Sequence, residues 1–183
     1  MSLNVPTFTT TNFSFGPGRL FLGVVGTTPT VDVGAITEDG IKINPENQTK
    51  DIFQGNPKQI VYTYNQQQGV VLDCVGIEWN VTNLAYAMGA GNTTSSGATD
   101  TYAFGGGAIT TRVALHVQHY MAAPADTLDA YIWTAVSNGS PAIDFSHDEH
   151  SFPYSWKAQR STTNWVGDTL AADEELMQIV RTK

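Results

Sequence analysis

The chain has 183 residues, with nine Lys and Arg against seventeen Asp and Glu and a formal charge of −8. One domain is expected at roughly 150 residues per domain, and the surplus of acids has the wrong sign for a protein that grips phosphates. Charged residues are only 14% of the chain, below the roughly 25% of an average domain, which excludes disorder driven by charge; the single cysteine, Cys74, excludes an internal disulfide and a cysteine-built zinc cluster.

Met1 to Gly16 carries no Lys or Arg and no long apolar run, so it does not read as a secretory signal. Leu20 to Val25, the densest apolar stretch, is too short to span a bilayer. Residues 43–57 read as an extended arm. Ile60, Tyr62 and Tyr64 then alternate with Gln59, Val61 and Thr63, and Val70 to Trp79 follows the polar run Asn65 to Gly69. That pattern predicts a hairpin with a loop of about five residues. Asn80 or Thr82 is placed to cap a short helix in which Leu84, Ala87 and Met88 share a face, with Gly89 as its left-handed stop. Residues 89–107 are so rich in Gly, Ser and Thr that they read as a long mobile loop, and such loops usually serve an interface.

Beyond this loop the apolar period is two. Ile109, Val113, Leu115, Val117 and Met121 oppose Thr110, Arg112, His116 and Gln118, as in a strand covered on one side. Leu128, Ala130, Ile132 and Val136 oppose Tyr131 and Trp133, so the next strand is apolar on both faces. Phe152, Tyr154, Trp156 and Ala158 alternate with Ser151, Pro153, Ser155 and Lys157, and the Pro puts this strand at a sheet edge or near its own start. The C-terminal element, residues 168–183, reads either as a helix capped by Asp168 with Leu176, Ile179 and Val180 on one side, or as a closing strand over Leu176 to Val180. Seven to nine strands and one or two helices are expected. The fold class is therefore mainly β: a β-sandwich or barrel with one short flanking helix and long loops, in a single domain over residues 1–183.

Catalytic patterns are weak. His147-Asp148-Glu149-His150 is the densest ligand-like cluster, yet residues three apart on a strand face opposite ways and do not meet one metal. His116 and His119 fall on opposite faces for the same reason. Gly105-Gly106-Gly107 is not followed by the Lys and Ser or Thr of a phosphate loop, and no Gly-x-Ser-x-Gly elbow frames a nucleophile. No catalytic, cofactor-binding or metal-binding residue is assigned, no cofactor is expected, and the chain does not read as an enzyme. Four Trp, seven Tyr and eight Phe are more aromatic surface than one small domain must bury, and aromatic residues are enriched at protein interfaces.

Val33-Gly34-Ala35, Gly40-Ile41-Lys42-Ile43 and Asp51-Ile52-Phe53-Gln54-Gly55-Asn56-Pro57 resemble the N-terminal half of the major tail tube proteins of long, non-contractile-tailed bacteriophages. Val70 to Trp79, running into Leu84-Ala85-Tyr86-Ala87-Met88-Gly89, is similar to that family's strand, Glu-Trp step and short helix. His150, Pro153 and Lys157-Ala158 resemble its closing motif. The match spans roughly residues 20–165; it departs from the family in the length of the 89–107 loop and the helical look of residues 170–180. The resemblance implies a β-sandwich with one flanking helix, shared with the type VI secretion tube protein, six copies closing into a ring, and rings stacking into a hollow tube for DNA ejection.

Composition and resemblance together nominate Asp39, Asp73 and Glu78 as lining the lumen. They nominate Glu46, Lys50, Asp51, Phe53, Asn92 and Asp100 for ring and stacking contacts. The expected partners are copies of the chain itself, with tape measure and tail completion proteins; DNA passes without specific binding and no membrane is involved. The expected location is the virion tail, after synthesis in the bacterial host cytoplasm. Two alternatives stand beside this: another virion module, such as a head decoration or tail completion protein, and a small-ligand-binding β-barrel supported only by His147 to His150.

Overall fold

The computed structural model describes residues 16, 18–78, 81–105, 111–121, 126–139 and 151–183. They form β1 (Arg19–Val24), β2 (Val31–Asp32), β3 (Ile36–Gln54), β4 (Gln59–Gly76), α1 (Val81–Met88), β5 (Asn92–Ser96), β6 (Thr99–Ala103), β7 (Arg112–Tyr120), β8 (Thr127–Ser137), β9 (Phe152–Ala158) and β10 (Gln178–Thr182). The chain is mainly β with one short helix. Eight strands make one antiparallel sheet in the order β2-β1-β7-β8-β9-β4-β3, with β10 alongside β8, and β5 and β6 pair separately.

Period-two patterning explains the core. In β9, Phe152, Tyr154 and Trp156 are each no more than 2% exposed, and the rings of Tyr154 and Trp156 stack 5.2 Å apart. Pro153 is the second residue of this strand, where a missing N–H costs least. Leu20 and Leu22 of β1, Leu72 and Cys74 of β4, Val113 and Leu115 of β7, and Ile132 of β8 join the same cluster. Leu84 and Ala87 of α1 complete it. The helix ends at Gly89, whose φ of +64° suits glycine. Ser137 Oγ donates to the carbonyl of Ala87 at 2.7 Å, satisfying one of the helix's last acceptors.

Strand β8 is buried on both faces, as its sequence predicts. One face enters the core. The other lies under the irregular segment 159–177, where Trp165 meets Tyr131 and Trp133 edge-on, with ring centroids 5.1 and 5.2 Å away. Trp133 Nε1 donates to the carbonyl of Glu174 at 2.8 Å, and Arg160 grips the Glu175 carboxylate through two bonds of 2.6 and 2.7 Å.

Two expected loops and the strand count need correction, and the open choice at the C-terminus is decided. Asn65 to Gly69 is not a turn. Strand β4 passes straight through it because β3 lies alongside, with Glu46 opposite Gly69, Asn47 opposite Gln68 and Gln48 opposite Gln67. Backbone pairing, rather than side-chain apolarity, holds this polar stretch extended. The chain reverses instead at residues 55–58, and the 43–57 arm is one limb of this long hairpin.

Residues 89–107 are not one long loop. Their described part forms the β5–β6 hairpin, in which Thr93, Thr94, Thr99 and Thr101 supply β-branched side chains suited to strands. Gly91 has φ +106°, and a Cβ there would lie 2.6 Å from the carbonyl oxygen of Ala103, so only glycine fits. Gly106 and Gly107 lie outside the described residues. The C-terminal element ends as a strand, β10, and not as a helix. The edge of β8 beside Thr127 to Tyr131 offers it a ladder, with Gln178 opposite Tyr131 and Thr182 opposite Thr127. Counting the two-residue β2, the described residues hold ten strands, more than expected.

Candidate functional site

The β3–β4 hairpin changes character along its length. Near its base Ile41 and Ile43 pack against the core beside Leu72 and Cys74. Beyond that, every residue from 44 to 68 is exposed. This outer part nevertheless carries Ile52, Phe53, Ile60, Val61 and Tyr62, between 48 and 61% exposed, and Tyr64, whose ring stacks on that of Tyr62. Among the described residues its outer edges have no pairing strand, because β9 accompanies β4 only from Val71 to Gly76.

The structure brings Glu46, Lys50, Asp51 and Phe53 together on this ribbon. Lys50 faces Tyr64 and Phe53 faces Ile60, while the Asp51 carboxylate accepts a 2.6 Å bond from Thr63 Oγ1. Asn92 and Asp100 lie apart from them, exposed on the β5–β6 hairpin opposite Ala103 and Ser95. The alternation of Ile60, Tyr62 and Tyr64 predicts this part of β4 as a strand; what sequence reasoning did not nominate is its exposed apolar side chains as part of the contact surface beside Lys50 and Phe53.

Asp39, Asp73 and Glu78 do not form one acidic surface. Asp39 is exposed in the irregular stretch of β3 between Ile36 and Ile41. Asp73 sits on the outer face of β4 opposite Lys42, accepts a 2.9 Å bond from Asn44 Nδ2, and has Lys157 on the adjoining strand two register positions away. Glu78 lies past the end of β4 and accepts the Ala35 backbone N–H at 3.1 Å, bracing the link between β2 and β3.

The two described histidines sit in different surroundings. His116 Nε2 lies 2.8 Å from Asp129 Oδ1, and the other Asp129 oxygen accepts a bond from Thr127 Oγ1 at 2.6 Å. The His116 ring is enclosed by Phe21, Tyr131 and Trp165. His119 faces the other way, toward Gly18 and Ile41. Burial pushes the Cys74 thiol up to about 12, with the charge of Asp73 adding to the effect, so this cysteine is not a nucleophile. Hydrogen bonding to Arg160 holds the Glu175 carboxyl below its ordinary value.

Among the described residues no three His, Cys, Asp or Glu side chains gather around a metal position; His147 to His150 lies outside them. No helix among them is long and apolar enough to cross a membrane. No protein-family model matches the chain, and no curated protein matches it.

Proposed function

We propose that this chain is a structural virion protein, the tail tube subunit of a long, non-contractile-tailed bacteriophage, which catalyses nothing. Six copies close into a ring, and rings stack into the hollow tube through which DNA is ejected. In this reading the sheet is the β-sandwich of that family with α1 flanking it.

The observation that carries the reading is the outer β3–β4 ribbon, exposed from residue 44 to residue 68. An isolated two-stranded ribbon is marginal in water, and a bare edge beside exposed apolar side chains invites another chain. A ribbon projecting from one end of a subunit meets a different surface on its neighbour, a heterologous contact that repeats without closing and suits stacking. The net charge of −8 agrees with a conduit, since a mildly anionic wall does not hold phosphates. Lys42 and Lys157 flank Asp73, so the wall's character rests on overall charge rather than on a triad of acids. Tape measure and tail completion proteins are the further partners.

Negative-stain imaging of concentrated protein tests this. Wild type is expected to form hollow tubes, and Lys50→Ala with Phe53→Ala is expected to remain a folded monomer. Closed rings that never stack would instead indicate a different virion module.

A further inference from the structure

At the base of the hairpin lies an open cavity of about 310 Å³, walled by Ile41 and Ile43 of β3, Leu128 of β8 and Ile179 of β10. Ile179 is 54% exposed at its mouth. Glu38 and Asp39 also line it, both exposed, and neither takes part in an ion pair among the described residues. The neighbouring cation on β10, Arg181, is engaged with Asp126 at 2.7 Å. The mouth is thus mostly apolar within, with His119 on its wall, and anionic at its rim.

The hairpin tip has the complementary character. Ile52, Phe53, Ile60 and Val61 are exposed there, and Lys58 is the only charged residue from Ile52 to Val70. Lys50 stands just behind it, and neither lysine has an ion-pair partner among the described residues. Tip and mouth belong to the same strand but are far apart. Phe53 follows Ile41 by twelve residues of β3, about 40 Å at roughly 3.3 Å per residue. A tip cannot reach its own mouth.

We infer that the hairpin tip of one copy seats in the mouth at the hairpin base of the next, Phe53 and Ile60 against Ile41 and Ile179, Lys50 and Lys58 against Glu38 and Asp39. This rests on the self-assembly reading and names the receptor for the ribbon. Apolar burial supplies the strength, and the charges set register and encounter rate. Because the two patches differ, the contact propagates. The step from one copy to the next is then at most about 40 Å, the reach of the hairpin.

The test is wild-type protein, assembled and then treated with a carbodiimide, which joins lysine to carboxylate only at contact distance, with the joined residues read by mass spectrometry. A ladder of covalent multimers joined through Lys50 or Lys58 to Glu38 or Asp39 is expected, and single bands from dilute monomer. Tubes that yield no ladder overturn the docking and leave the tube reading intact, meaning that something other than a neighbouring hairpin covers the mouth. A wild type that never assembles overturns both. Charge exchange gives an independent check. Glu38→Lys with Asp39→Lys is expected to slow growth at least tenfold, and adding Lys50→Glu with Lys58→Glu is expected to restore it; slowing without restoration overturns the pairing.

Discussion

The inner and outer parts of the β3–β4 hairpin share one ladder of backbone hydrogen bonds and differ in everything else. In the inner part Val70 and Leu72 are at most 5% exposed and stack into the core; in the outer part Phe53 and Ile60 are more than half exposed. The inner part is flanked by β9, whereas the outer part has no neighbouring strand on either edge among the described residues. Pairing alone therefore extends a strand without burying it. The inner part stabilises the fold, and the outer part is exposed surface, the surface we propose a neighbouring copy covers.

That contrast is sharpest in stability. Leu72→Ala removes a side chain with no exposure and is expected to cost about 2–5 kcal/mol, measured by urea unfolding; a loss under about 1 kcal/mol would mean that the inner part is not core. Gly76→Ala comes next. A Cβ there would lie 2.6 Å from the Tyr154 ring, and moving a ring locked in the core is expected to cost about 1–3 kcal/mol. Phe53→Ser on the outer part is expected to change monomer stability by no more than about 0.5 kcal/mol while tube growth stops. A penalty as large as that of Leu72→Ala would erase the distinction between the two parts.

The smallest effect concerns the segment covering β8, which shows what an added cover does. Glu175 is held by Arg160, and its carboxyl titrates below the ordinary 4.5. A lowered carboxyl contributes stability that is present above its unfolded value and lost as pH falls through the folded one. Wild type is therefore expected to lose slightly more stability than Glu175→Gln on going from pH 6 to pH 3, the difference being small because the pair is exposed. Parallel acid limbs in thermal unfolding would remove the pair from the account.

The contrast also separates what was legible in the sequence from what was not. Strand β9 was legible because burying one face forces strict alternation of Phe152, Tyr154, Trp156 and Ala158. The Gln-rich middle of β4 was not, because a ribbon bare on both faces places no such demand, and the cause of its extension lies about twenty residues away in β3. Leu176, Ile179 and Val180 fit either period; the open edge of β8 decides between them, and that edge exists only in the folded chain. Glu46, Lys50, Asp51 and Phe53 were found together because they are neighbours in sequence. The alternation of Ile60, Tyr62 and Tyr64 marks a strand, but the apparent turn at Asn65 assigns it the wrong partner, Val70 to Trp79 in place of β3.

Amide hydrogen exchange, compared between dilute and concentrated protein, bears most directly on the ribbon as the surface through which copies join. The account predicts that amides on the outer edges of residues 44–68 exchange quickly when dilute and become protected on concentration, while those of β9 are slow in both. Assembled protein in which residues 44–68 still exchange as fast as in the monomer would contradict it.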